Sequence, residues 1–191
     1  LKKSRAEAAL RISEVLYMIE TQVTYGSKKR MRYFIGLGSN MGNKRRNLSQ
    51  ASHLLEESGI KILKKSSIYE TSPVGPVEQP WFLNQVLEVE TDFSPQYLLR
   101  VTKRIEKKMG RHSGVAKGPR CIDIDILLSE SGVVRTKKLQ VPHPELEKRK
   151  FVLIPLMEIA PETVHPLLNK KVEDLWRECQ DDSDVHILEG R

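Results

Sequence analysis

The chain has 191 residues, enough for one domain with a real core, and carries a formal net charge of +7. That charge sits at the start: residues 1–32 hold eight Lys/Arg against three Glu, whereas the other 159 residues carry 24 basic and 22 acidic side chains. A nearly neutral body argues against a nucleic-acid surface, and no apolar run approaches the length that spans a membrane.

Residues 5–20 place Ala6, Ala9, Leu10, Ile12, Leu16 and Ile19 on one side of an expected helix, and Thr24-Tyr25-Gly26-Ser27 with Lys28-Lys29-Arg30 reads as a linker. Residues 1–31 are therefore expected to form an extension, with Met31 as the functional start. A domain is expected over 32–178, followed by a polar tail over 179–191. Tyr33–Leu37 is the first clear strand. Gly38-Ser39-Asn40-Met41-Gly42-Asn43 follows as a tight turn without the Gly-Lys-Ser/Thr ending of a P-loop. A helix then runs to about Ser58, with Leu48, Ala51, Leu54 and Leu55 as its apolar stripe, Asn43 at its start and Gly59 at its end.

Residues 61–69 read as a second strand, and Thr71-Ser72-Pro73-Val74-Gly75-Pro76 as an irregular loop. Trp81–Thr91 is a third strand whose pleat puts Phe82 and Asn84 on one face. Ser94-Pro95 opens a helix lined by Leu98, Val101, Thr102, Ile105 and Met109 and closed by Gly110. Glu106, one turn from its end, either is solvated or reaches a neighbouring polar site.

The stretch Gly118-Pro119-Arg120-Cys121-Ile122-Asp123-Ile124-Asp125-Ile126 organises the rest. Ile122, Ile124 and Ile126 point into a core, while Asp123 and Asp125 share the opposite face, about 7 Å apart along the strand. Two carboxylates on one face repel, so either a hard divalent cation such as Mg²⁺ or nearby solvated lysines must compensate. Arg120 favours the first, because guanidinium suits phosphate. By the same alternation Cys121 would share the acidic face. Cys121 and Cys179 are the only cysteines, in no metal-like spacing, which suits free thiols in a reducing, cytoplasmic setting.

Ser131-Gly132 turns the chain into an extended run, Val133–Val141, which Pro142-His143-Pro144 breaks. Lys148-Arg149-Lys150 leads into the apolar segment Phe151–Ile159, and a short helix is expected around Val172–Cys179. The order β-α-β-β-α-β over 33–128 is that of a ferredoxin-like α+β sandwich with an antiparallel sheet, to which a C-terminal hairpin strand and short helices are added. Three loop-edge clusters carry the chemistry: Thr71–Asn84, Arg111–Asp125 and His143–Phe151. Together they supply a paired acid site, several phosphate-directed cations, and two aromatics with an amide.

In these segments the chain resembles the 6-hydroxymethyl-7,8-dihydropterin pyrophosphokinase family of folate biosynthesis. The matching residues are Ile35-Gly36-Leu37-Gly38-Ser39-Asn40, Tyr69-Glu70-Thr71-Ser72-Pro73, Gln79-Pro80-Trp81-Phe82-Leu83-Asn84, Gly118-Pro119-Arg120-Cys121-Ile122-Asp123-Ile124-Asp125, and Pro142-His143-Pro144 with Arg149 and Phe151. The resemblance implies transfer of pyrophosphate from ATP to the pterin's hydroxymethyl group, with release of AMP; a monomer is expected. It implies that Asp123 and Asp125 hold two Mg²⁺ ions and that Arg111, Arg120, His143 and Arg149 meet the phosphates. It further implies that Phe82 and Phe151 sandwich the pterin, Asn84 bonds its edge with help from main-chain groups around Thr71 and Val74, and Glu106 stands behind the nucleotide. Lys117 occupies a position where the family usually has Trp or Tyr, and the loop Arg111–Arg120 is one residue shorter than the best-known version.

Two rivals fit less well. A nucleotidyltransferase also pairs Gly-Ser with strand acids, but there the acids follow closely, whereas most of the domain separates Ser39 from Asp123. An RNA-binding module on the same topology would display aromatic ribonucleoprotein motifs, and no segment fits them.

Overall fold

Alternation decides the position of β1 (Met31–Ser39). Tyr33, Ile35 and Leu37 are buried on one face, while the other carries Phe34 and then two glycines, Gly36 and Gly38. The computed structural model describes residues 30–73, 78–111 and 118–188. The helix expected over 5–20 and the loop residues Val74 and Lys117 lie outside them.

β1 pairs antiparallel with β4 (Phe82–Thr91), from Met31↔Thr91 to Ser39↔Leu83. On its other side it pairs with β5 (Asp123–Ser129), setting Gly38 beside Asp123 and Gly36 beside Asp125. The strand expected over 61–69 is broken into β2 (Lys61–Lys65) and β3 (Tyr69–Thr71), both paired with β4. The break is a local substitution of partners. The Ser66 hydroxyl accepts from the Val86 N–H at 2.9 Å, and the Ser67 N–H is taken by the Glu158 carboxylate at 2.9–3.0 Å.

α1 (Lys44–Glu57) and α2 (Pro95–Lys108) cover the first face of the sheet. Their caps are the ones the sequence announces. Asn43 Oδ1 accepts from the Arg46 N–H at 3.0 Å, Ser94 Oγ from the Tyr97 N–H at 3.4 Å, and Gly59 and Gly110 follow the ends at φ +86° and +89°. These strands and helices make the expected ferredoxin-like α+β sandwich.

The apolar segment over 151–159 is a helix, α3 (Lys150–Ile159), and it packs with α4 (Val172–Glu178) on the second face. A bulge in β5 serves this packing. Ile35 faces Ile126 and Phe34 faces Leu128, so Leu127 is the extra residue and joins Phe34, Val86 and Leu153 beneath the helices. The helices cover only that half of the face, and the half around the two glycines stays open.

Three other expectations are corrected. Val133–Val141 is not one extended run but a hairpin of β6 (Val134–Arg135) and β7 (Gln140–Val141). Thr136 Oγ1 turns the chain by accepting from the N–H groups of Lys138 and Leu139 at 3.3 and 3.0 Å. A second hairpin, β8 (Val164–His165) with β9 (Lys170–Lys171), precedes α4. The stretch read as a polar tail returns to the sheet as β10 (Val185–Ile187), giving the order β10-β3-β4-β1-β5. Cys121 does not share the acidic face. The strand begins only at Asp123, and the Cys121 thiol donates to the Met109 carbonyl at 3.0 Å.

Candidate active site

The uncovered half of the second face holds two adjoining cavities. Gly36 and Gly38 line one of them, and a Cβ on Gly38 would stand 2.9 Å from Asn84 Oδ1. One cavity is bounded by Thr71, Ser72, Gln79, Phe82, Asn84 and Phe151. The other is lined by Asn84, Phe151 and Arg149 together with Asp123 and Asp125. Asn84 and Phe151 are shared, so an aromatic slot opens directly onto an acid pair.

Strand register builds the slot. Phe82 and Asn84 lie two residues apart on β4, and β3 lies opposite them, with Thr71 beside Phe82 and Tyr69 beside Asn84. Asn84 Nδ2 donates to Thr71 Oγ1 at 2.7 Å, which leaves Oδ1 as an acceptor on the slot side. Phe151 comes from the first turn of α3. The Arg149 guanidinium lies 5.8 Å from the Phe151 ring centre and that of Arg120 5.1 Å from Phe82, so each aromatic wall is backed by a cation.

The two acids share a face but not an environment. Arg111 bonds to Asp123 Oδ1, and Arg120 Nε lies 2.7 Å from Oδ2. Burial pushes the Asp123 carboxyl up, but Arg120 and Arg111 outweigh it and hold the group below the usual carboxylate range. Among the described residues Asp125 has no such ion-pair partner. Burial first and the Asp123 charge second push its carboxyl above the ordinary value. Glu106, for which two expectations stood open, turns inward. It accepts from Arg111 at 2.7 Å, Lys103 at 2.8 Å and the Ile124 N–H at 2.8 Å, tying α2 to β5. Burial raises its pKa against the pull of these donors.

His143 is on the far side of Asp125, where a cleft is lined by Lys103, Asp125, Lys137, Lys138 and His143. Burial holds the imidazole below its ordinary pKa despite the Asp125 charge. Its Nδ1 accepts from the Glu145 N–H at 3.2 Å, so the neutral ring carries its proton on Nε2.

Two participants were not singled out from the sequence. Lys103 reaches Glu106 and the cleft from one turn up α2, and nothing but the helical spacing i, i+3 hints at it. Asn40 bridges two loops: its Oδ1 accepts from the Arg120 N–H at 2.8 Å, and its Nδ2 donates to Gln79 Oε1 at 3.1 Å. The Gly-Ser-Asn turn was the available signal, since a buried amide after a strand needs partners.

Residues 34–161 match the model of the family described as 7,8-dihydro-6-hydroxymethylpterin-pyrophosphokinase (HPPK). The chain belongs to the HPPK family. It is 45% identical over 141 residues to the 2-amino-4-hydroxy-6-hydroxymethyldihydropteridine pyrophosphokinase of Aquifex aeolicus, covering 74% of this chain and 88% of that one. The enzyme of that name from Bacillus subtilis is 45% identical over 128 residues, which cover 66% of this chain and 77% of the other. The folic acid synthesis protein fol1 of Schizosaccharomyces pombe is 40% identical over 159 residues, 83% of this chain but 22% of that longer protein. The chain thus spans about a fifth of that relative's length. Among solved structures, a Plasmodium falciparum HPPK-DHPS matches 81% of this chain and 45% of its own, with a TM-score of 0.65 and 20% identity, a likeness of fold.

Among the described residues no group of three or more His, Cys, Asp and Glu side chains converges as a metal cage. Asp123 and Asp125 line the cavity, a pair of carboxylates that could serve a cation completing its shell with water and phosphate oxygens. No helix of the described residues is long and apolar enough to cross a membrane.

Proposed function

We propose that this HPPK-family chain transfers pyrophosphate from ATP to the hydroxymethyl group of 6-hydroxymethyl-7,8-dihydropterin, releasing AMP, in tetrahydrofolate biosynthesis. The observation that carries the reading is the shared wall: Asn84 and Phe151 line both the aromatic slot and the acid cavity. A flat heterocycle held between Phe82 and Phe151, with its edge on Asn84, would present its substituent toward Asp123 and Asp125.

Asp123 and Asp125 fit two Mg²⁺ ions. Asp125 is a buried carboxylate beside a like charge and, among the described residues, forms no ion pair, which is what a bound cation relieves. When bound, the ions would neutralise the triphosphate and polarise the phosphorus under attack. The chain's own residues do the rest. Arg111 and Arg120, now on Asp123, are set to turn toward phosphate oxygens, and Arg149 enters from the opposite wall. His143 offers its Nε2–H to a phosphate oxygen, and Lys103, Lys137 and Lys138 add charge along the nucleotide cleft. The hydroxyl oxygen bonds to the β-phosphorus, the bond from that phosphorus to the α-β bridging oxygen breaks, and the hydroxyl proton passes to solvent. Positioning and electrostatics supply the acceleration, with no side chain required as a strong base.

We expect a monomer acting without nucleic acid or membrane, and the nearly neutral charge of residues 33–191 supports the part about nucleic acid. The two free thiols support a cytoplasmic location. Incubation with MgATP and the dihydropterin tests the reading: pterin-dependent AMP is expected, and ADP or nucleotide transfer in its place would overturn it.

A further inference from the structure

The segment after α4 runs from the start of α3 to the sheet edge at β3, and is bonded to both of these elements, which carry walls of the aromatic slot. At one end Asp181 meets the start of α3. The residue at the N-cap position of that helix, Arg149, makes no side-chain cap bond. The N–H of Lys150 is taken instead by Asp181 Oδ2 at 2.8 Å, from 31 residues further along the chain. Asp181 Oδ1 accepts from the Ser183 N–H at 2.9 Å, and Lys150 Nζ donates to the Ser183 carbonyl at 3.2 Å. Lys150 stands between Arg149 and Phe151, so this clamp grips the peptide that aims both side chains.

At the other end the same segment becomes the sheet edge. The Ser72 N–H donates to the Asp184 carbonyl at 3.0 Å and the Asp184 N–H to Ser72 Oγ at 3.1 Å. Val185 then pairs with Thr71, the residue that orients Asn84. The His186 ring stacks on Trp81, next to Phe82, with centroids 6.1 Å apart and planes 11° apart. Seven residues, 181–187, therefore tie the α3 wall to the β3 and β4 walls. They lie beyond the residues that match the family model, 34–161.

We propose that Asp181 is a positioning residue for the pterin slot: by capping α3 from outside the helix it sets Phe151, and with it Arg149, against the walls held by β10. This rests on the functional reading above. A carboxylate at a helix N-terminus accepts a charge-assisted bond and meets the positive end of the helix dipole, so the cap is strong and directional. Ionisation is secured as well. Burial pushes the Asp181 carboxyl up, but the N–H groups of Ser183 and Lys150 outweigh it and hold the group below the ordinary carboxylate value.

The test uses the full chain, with Asp181→Ala and Asp181→Asn beside wild type. Calorimetry gives the Kd of 6-hydroxymethyl-7,8-dihydropterin in the presence of Mg²⁺ and a non-cleavable ATP analogue, and amide exchange reports on the first turn of α3. Asp181→Ala is expected to weaken pterin binding about tenfold and to speed exchange at the start of α3. Asp181→Asn, which keeps shape and one acceptor oxygen, is expected to lose about threefold. A lower melting temperature with pterin Kd unchanged would make the cap purely structural and overturn the proposal. Should Asp181→Ala not fold, a folded Asp181→Asn with wild-type pterin affinity overturns it equally. A wild-type chain that binds no pterin would instead overturn the functional reading, and this inference with it.

Discussion

Gly38→Ala tests the floor of the acid cavity, where it meets the aromatic slot at Asn84. The added Cβ would lie 2.9 Å from Asn84 Oδ1 and 3.9 Å from Asp123 Cβ, so only the amide is in conflict. Ordinary contact needs roughly half an ångström more, and Asn84 is not free to yield it cheaply. It is buried, and its other amide atom is held 2.7 Å from Thr71 Oγ1. Moving it stretches one buried bond, worth about 1 kcal/mol, within a general overpacking cost of about 1–3 kcal/mol. For a chain of this size a loss of 1 kcal/mol lowers the melting temperature by about 2–4 °C, so the variant should fold and melt several degrees early. The larger effect falls on the pterin, whose edge would meet a turned amide. A misdirected bond of about 1.4 kcal/mol raises Kd about tenfold. Thermal melts and a pterin titration at saturating nucleotide analogue measure both quantities. A folded Gly38→Ala chain with unchanged pterin affinity would refute the assignment of Asn84 as the edge-binding residue.

Asp123→Asn and Asp125→Asn should each abolish turnover but move stability in opposite directions. Without metal, Asp123→Asn takes an anionic partner from both Arg111 and Arg120 and should lower the melting temperature, whereas Asp125→Asn removes a buried like charge and should raise it; two equal shifts would contradict the asymmetry. Glu106→Gln loses charge-assisted bonds from Arg111 and Lys103 and should cost about 1.5–3 kcal/mol in denaturant unfolding, with nucleotide affinity reduced as Arg111 is released. His165 is buried, and burial holds its pKa below the ordinary 6.5. As pH falls below 6.5 the unfolded chain takes up this proton before the folded one, so stability is lost from there down to the folded value. Urea melts at about pH 7.5, 6 and 5 should show a slope that His165→Gln flattens, and an unaltered slope would place the cause elsewhere.

The sequence by itself determined whatever depends on neighbours a few residues away. Period two separated Ile122, Ile124 and Ile126 from Asp123 and Asp125, and the caps at Asn43 and Ser94 and the glycines at 59 and 110 bounded two helices. Phe82 and Asn84 on one face followed from the same alternation. The roles of the site residues came through the resemblance of five motifs, not through pattern. Tertiary structure alone decided the break between β2 and β3, the hairpin within 134–141, and the return of 185–187 as a sheet edge. It also turned Glu106 inward, took Cys121 off the acidic face, and set Asp181 on Lys150. Apart from the hairpin, whose turn Thr136 makes locally, each of these depends on a hydrogen-bond partner supplied by another element: Glu158 for Ser67, Ile124 for Glu106, Thr71 for Val185. A buried polar group must find such a partner, but its own sequence neighbourhood does not say which of many distant groups the packing will bring within 3 Å.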